Sequence, residues 1–268
     1  ADHDRAHVLR LQQRDLGGRA LVVEAEVLSA AVLRALTGRA RRRRGIGVCS
    51  KRNGQLRHRG RLVHTFQYDV LAGDEILLEL KALAGGFARE NYVQIISYLK
   101  FWRKPLGLLV NFGQEKGKVE RLPFAEKPLR VEEDYELVRP LLTKELRLLL
   151  RSVRAGVLEV GRLHGPGYGE AVCAKLLGTE WQHRGLAVRG ELFSLVKFEG
   201  DELGKFPVDA MLVGDRVLCC VSALKDNLGP YELGKTQAYL RALDLPVGLT
   251  VNFGKRALQI RGVRPPAR

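Results

Sequence analysis

The chain holds little sulfur and few aromatic rings: of 268 residues, four are Cys, one is Met, and Phe, Trp and Tyr together make up 7%. None of Cys49, Cys173, Cys219 and Cys220 stands in a CxxC spacing, and the six histidines form neither HxxxH nor HExxH. A zinc site is therefore not expected, and the cysteines read as buried, reduced thiols of a cytoplasmic protein. No run of 18 uncharged apolar residues occurs, so no membrane-spanning segment is expected. The opening stretch, ADHDRAHVLRLQQRD, has no apolar h-region and does not read as a secretory signal. It also lacks an initiator Met, which points to a processed or incomplete N-terminus. No glycine-rich loop of the phosphate-cradling kind appears, which leaves little support for a small-molecule enzyme of nucleotide-dependent type.

What the chain has in excess is positive charge, a formal net +15 with a pI near 10.0. Most of it lies in residues 38–61, GRARRRRGIGVCSKRNGQLRHRGR. A solvated basic segment is the plain reading. Such a segment also binds polyanions through phosphate contacts and counterion release. Nucleic acid is thus the expected partner, with Arg41, Arg42, Arg43, Arg44, Lys51 and Arg52 as its contacts.

The length suits about two domains, and the sequence repeats itself. Residues 73–113 align without a gap on 214–254, with fourteen of forty-one positions identical, and GLLVNFG (107–113) returns as GLTVNFG (248–254). The apolar set persists, whereas Glu79 and Lys81 become Cys220 and Ser222 and Gln94 becomes Lys235. Packing needs the apolar residues and chemistry needs the charged ones. Two copies of one fold are expected, with chemistry confined to the first.

Periodicity in the second copy predicts helices over 144–163 and 168–184, then strands over 187–198, 205–213 and 216–223. A helix over 231–243, a buried strand over 246–253 and an edge strand over 257–263 complete it. Gly214-Asp215 reads as a two-residue hairpin turn, which would set Asp209 opposite Cys220. The first copy follows the same order from residue 61: strands 61–71 and 75–82, a helix over 89–102, and strands 106–112 and 117–122. Upstream, Ala20–Leu36 reads as a helix, and the basic segment stands where a strand would be expected. The class is α+β. The expected domains are 1–122, with an atypical basic N-terminal part, and 144–268, a degenerate copy. The segment 123–143, with Pro123, Pro128 and Pro140, joins them.

Asp69 precedes Glu79 by ten residues, and Lys81 follows at i+2. Side chains two apart on a strand share a face. A three-residue loop at 73–75 would place Asp69 directly opposite Glu79. Two carboxylates and an ammonium then converge. Like charges so close favour a cation between them, and clustered carboxylate oxygens suit Mg²⁺ or Mn²⁺. A nearby lysine helps to orient or deprotonate water. On the following helix, Gln94 and Tyr98 are i and i+4 and share a face. Gln94 is lost from the second copy together with Glu79 and Lys81, whereas Tyr98 is kept as Tyr239, as a core residue would be.

YDVLAGDEILLELKAL followed by NYVQIISYLKFWRKPLGLLVNFG resembles the GxxExxY family of the PD-(D/E)XK nuclease superfamily. In the second copy HGPGYGEAVCAKLL resembles the family's naming motif, with Gly167 and Glu170 in place and Cys173 where the Tyr is expected. The resemblance covers about residues 63–122 and 145–262. It implies two tandem domains, each a mixed central sheet flanked by helices. It further implies Asp69 and Glu79 as metal ligands, Lys81 as the catalytic lysine and Gln94 as an accessory residue. A family Glu from the first helix would be Glu24 or Glu26. The leading expectation is a Mg²⁺-dependent nuclease working through the first copy. The alternative is a non-catalytic nucleic-acid-binding protein with decayed nuclease sites.

Overall fold

The computed structural model describes residues 9–14, 20–25, 47–114, 117–199 and 201–266. Its contacts divide the chain into two units, Ala1–Leu56 with Thr65–Glu126, and Arg57–His64 with Lys127–Arg268.

In the first unit β1 (Leu9–Arg14) pairs antiparallel with β2 (Ala20–Ala25), Leu9 opposite Ala25. The helix expected over Ala20–Leu36 is therefore corrected to a strand over its described part. ALVVEA carries adjacent valines, whose β-branched side chains favour extended backbone. The remainder of that expected helix lies outside the described residues. So do Arg41, Arg42, Arg43, Arg44 and Glu26. The basic segment does not replace a strand, since β3 (Val48–Ser50) and β4 (Asn53–His58) both fall within it. β4 forms a hairpin with β5 (Arg61–Gln67), of which residues Arg57–His64 are grouped with the second unit. The expected strand 61–71 is broken at Tyr68 and Asp69, after which β6 (Val70–Ala72), β7 (Ile76–Lys81), α1 (Arg89–Trp102), β8 (Leu106–Asn111) and β9 (Lys118–Pro123) follow. The sheet order is β3-β6-β7-β8-β9, with β7 parallel to β8 and the other pairs antiparallel.

One face of this sheet buries Val70, Leu78, Leu80, Leu108, Val110 and Phe112. Alternation sends Leu77, Glu79 and Lys81 to the opposite face, where α1 packs. The repeated glycines explain themselves here. A Cβ on Gly107 would come within 2.7 Å of Ile95 on α1, and one on Gly113 within 2.4 Å of the Leu83 backbone. The repeated asparagine is a staple. Asn111, fully buried, accepts from Leu83 N–H at 2.8 Å and donates to the Leu83 and Gly85 carbonyls, fixing the chain just beyond β7.

The second unit holds β10 (Val131–Asp134), a single 3-10 turn (Arg139–Leu141), α2 (Lys144–His164), α3 (Glu170–His183), β11 (Val188–Arg189), β12 (Leu192–Phe198), β13 (Asp201–Val208) and β14 (Met211–Val213). Then come β15 (Val217–Ala223), α4 (Pro230–Ala242), β16 (Val247–Phe253) and β17 (Leu258–Val263). Thr143 caps α2, accepting from Leu146 N–H, and the helix buries Leu146, Leu150, Val153, Val157 and Val160. Trp181 of α3, fully buried, donates to the Val153 carbonyl at 2.9 Å over Gly156, where a Cβ would collide with it. The sheet order is β10-β17-β16-β15-β14-β11. The expected edge strand 257–263 is thus interior, because β10, drawn from the segment 123–143, adds parallel to it.

Both units share one plan: a short strand antiparallel to a buried central strand, a crossover helix, a strand parallel to the central one, and an antiparallel return. The fold is α+β, two tandem mixed sheets flanked by helices. No helix among the described residues is long and apolar enough to cross a membrane. Of the thiols expected to be buried, Cys49 is exposed, since its strand lies at a sheet edge; Cys173, Cys219 and Cys220 are buried, and none of the four forms a disulfide.

Candidate active site

In the first unit β6 and β7 pair as Val70 with Leu78 and Ala72 with Ile76, leaving a three-residue loop at 73–75. Gly73 and Asp74 both adopt positive φ there, near +60°, a conformation that Gly adopts freely and Asp tolerates better than most residues. Extending this register by one residue sets Asp69 opposite Glu79. Ladder pairing stops at that point, and the Asp69 carboxylate takes its place, its Oδ2 accepting from Leu80 N–H at 2.9 Å.

Glu79 is only 4% exposed. Its Oε1 accepts from Lys81 Nζ at 2.8 Å, while its Oε2 is buried with no hydrogen-bond partner. Burial pushes the carboxyl up to about 7; the Lys81 hydrogen bond opposes this, and the neighbouring Asp69 charge adds to it. The same ammonium donates to Gln94 Oε1 at 2.9 Å, and Gln94 Nε2 donates to the Tyr98 hydroxyl at 2.7 Å. Tyr98 packs edge-on against Phe66 and Trp102. A rigid aromatic cluster therefore anchors a chain of hydrogen bonds running Tyr98, Gln94, Lys81, Glu79. The structure brings together Asp69, Glu79, Lys81 and Gln94. Tyr98 is buried, as expected of a core residue, and it also joins this chain through Gln94, its i, i+4 neighbour. Asn111 was legible only as part of a repeat.

The site suits a hard divalent cation. A buried, unsatisfied carboxylate oxygen beside a second carboxylate is costly without one, and Mg²⁺ commonly binds through one or two carboxylates with water and substrate oxygens completing its shell. Among the described residues no group of three or more His, Cys, Asp and Glu is placed to hold a metal. Glu24 lies on β2 rather than on a helix. Of the basic candidates, Lys51 and Arg52 are exposed in the turn between β3 and β4, and Lys51 N–H bonds to the Asp69 carbonyl at 3.2 Å.

The second unit is built differently at the same place. Met211 pairs with Cys219 and Val213 with Val217. The loop is therefore Gly214–Arg216, three residues rather than the two-residue turn expected. The register sets Ala210, not Asp209, opposite Cys220. This copy has one residue more than the first between its Asp and its Gly, which shifts Asp209 out of line. Its side chain is 77% exposed and accepts from Lys235 Nζ at 2.7 Å. Burial pushes the Cys220 thiol up, so it stays neutral, with Thr236 and Lys235 opposing. Ser222, 9% exposed, occupies the lysine position.

Asp69 and Glu79 thus stand at opposed positions of a strand pair, with E-x-K on the central strand of a mixed sheet. A sequence profile of the PD-(D/E)XK nuclease superfamily matches residues 30–122 and 148–263, more than half of the chain, and the protein belongs to that superfamily. A search of curated proteins finds no significant match.

Proposed function

We propose that the protein is a divalent-metal-dependent nuclease of the GxxExxY kind, acting in the cytoplasm and hydrolysing phosphodiester bonds through its first copy. In this reading residues 1–122 carry the chemistry, 123–143 connect, and 144–268 form a copy without catalysis. The observation that carries it is the buried, partnerless Oε2 of Glu79, a residue that the strand register sets opposite Asp69, next to a lysine held by Glu79 Oε1 and Gln94. Asp69 and Glu79 would hold the ion. When bound, Mg²⁺ or Mn²⁺ supplies Lewis-acid activation of water and neutralises charge on the scissile phosphate. Lys81 carries an ammonium at the site, where it stabilises developing negative charge and orients water. Gln94 and Tyr98 fix that ammonium rather than touch substrate. Arg41–Arg44, Lys51 and Arg52 would contact strand phosphates and bind without sequence preference.

The second reading, a nucleic-acid-binding protein without catalysis, draws on one observation: the described residues offer the site two carboxylates and no third. Purified protein incubated with single- and double-stranded DNA and RNA decides between them. Cleavage with Mg²⁺ or Mn²⁺ that EDTA abolishes is expected. Binding without cleavage would establish the second reading, and equal cleavage in EDTA would contradict the metal assignment.

A further inference from the structure

A cavity of about 530 Å³ opens in the second unit, on residues that the nuclease reading does not use. Its lining includes Glu133, Tyr135, Arg139, Arg147, Arg151 and Arg154. Arg147, Arg151 and Arg154 stand at i, i+4 and i+7 of α2 and so share one helix face. Arg139 reaches in from the 3-10 turn, while Glu133 and Tyr135 come from β10 and the residue following it. Four guanidinium groups thus meet one carboxylate. Arg154 Nε donates to Glu133 Oε2 at 2.8 Å. Arg139, Arg147 and Arg151 pair with no carboxylate among the described residues. Like charges gathered around a concave wall are relieved by an anion, and arginine's planar fork matches phosphate oxygens in bidentate fashion.

Two further atoms point into chemistry rather than packing. Glu133 Oε1 is buried with no hydrogen-bond partner, and the buried Tyr135 hydroxyl has only the Arg154 guanidinium beside it, which leaves its own proton unplaced. Burial, with the Glu133 charge adding to it and Arg154 opposing, keeps the tyrosine hydroxyl protonated, so it is available as a donor. The carboxylate oxygen calls for a donor from outside. A ligand that answers the whole set carries an anionic group for the arginines and a hydroxyl or amino group for Glu133. The volume exceeds what an isolated phosphate fills and falls within the range of small-ligand sites, about 300–1,000 Å³.

We propose that this cavity binds the phosphate of a nucleotide, supplied either as a free mononucleotide or by a nucleic-acid strand. The site is separate from Asp69 and Glu79 and does not depend on whether the first copy cleaves. The test is binding to the full chain in EDTA, so that metal-dependent cleavage does not intervene, with adenosine 5′-monophosphate in one arm and a short single strand in the other. The double variant Arg147→Ala/Arg151→Ala should weaken binding by at least about tenfold, and Tyr135→Phe by roughly three- to tenfold. Both arginines are exposed, and circular dichroism confirms that the variants fold. Loss in the mononucleotide arm identifies a free nucleotide as the ligand. Loss confined to the strand arm identifies nucleic acid as the source. Three results would overturn the proposal: neither probe binds, the double variant binds as tightly as the wild type, or Tyr135→Phe changes nothing while the arginine variant does. The last would place the anion on an exposed basic surface rather than in the cavity.

Discussion

Two carboxylates, one in each unit, are removed from water and treated in opposite ways. Glu180 on α3 is fully buried and receives hydrogen bonds from His58, Arg59 and Arg184 at 2.7–3.2 Å. Burial alone would push it up, but these partners hold it down at about 2. Glu79 on β7 receives one ammonium and keeps an oxygen without a partner, and burial pushes it up to about 7. Both carboxylates cost desolvation energy, and only Glu180 recovers it within the chain. A buried polar group left unsatisfied by its own protein is a common mark of a functional site. The comparison extends to the repeated positions themselves. In the second unit, Lys235 stands where Gln94 stands in the first, and its ammonium bonds the exposed Asp209 carboxylate, which the register has already shifted out of line with Cys220. At the position equivalent to the first unit's acid pair, that copy answers its aspartate with an internal cation and carries Cys220 in place of Glu79.

Removing the lysine should give the largest difference between the units. Lys81→Ala is expected to lower the Mg²⁺-dependent cleavage rate by roughly 10²- to 10⁴-fold, whereas Ser222→Ala leaves it unchanged. Initial rates on a labelled oligonucleotide measure both, and similar losses would erase the distinction.

Next in size is the structural carboxylate. Glu180→Gln strips the counter-charge from Arg59 and Arg184, and a carboxylate acceptor from His58, and should cost about 3–5 kcal/mol in urea unfolding. Because the folded pKa lies below the ordinary 4.5, the stabilisation from Glu180 is fully present above 4.5 and is lost as pH falls towards 2. The wild type should therefore lose stability relative to the Gln variant across that window, and parallel pH profiles would contradict the assignment.

Glu79→Gln should move stability the other way. A folded pKa near 7 means that the ionised side chain disfavours folding, increasingly as pH rises from 4.5 through 7. The Gln variant, free of metal, should gain about 1–3 kcal/mol above pH 7 and nothing below 4.5. Urea titrations in EDTA at the two pH extremes measure this. A destabilised variant at the higher pH would mean that Glu79 is satisfied after all.

Local signals carried much of this architecture. The E-x-K pair, the three-residue loop that aligns Asp69 with Glu79, and the amphipathic stripe of α2 all depend on neighbours a few residues apart. The NFG repeat also proved informative, since Asn111 staples the loop after β7 and Gly113 clears the Leu83 backbone. What the sequence hid depends on distant partners or on single-residue shifts. His58 and Arg59 meet Glu180 across more than 120 positions. β10 converts β17 from an edge into an interior strand through a pairing that no local pattern announces. One extra residue between Asp209 and Gly214 left the sequence open to a two-residue turn, and only the observed pairing shows three. Ala20–Ala25 forms a strand because its valines prefer extended backbone, although its apolar spacing also fits a helix.

The division of labour between the copies is tested most directly by substituting the two aspartates one at a time. Asp69→Ala should abolish metal-dependent cleavage, since it removes the carboxylate opposite Glu79. Asp209→Ala should leave the rate near wild type, since its partner is Lys235 and not a metal site. Equal losses from both, with folding confirmed by circular dichroism, would show that the two copies build one shared site and would contradict this account.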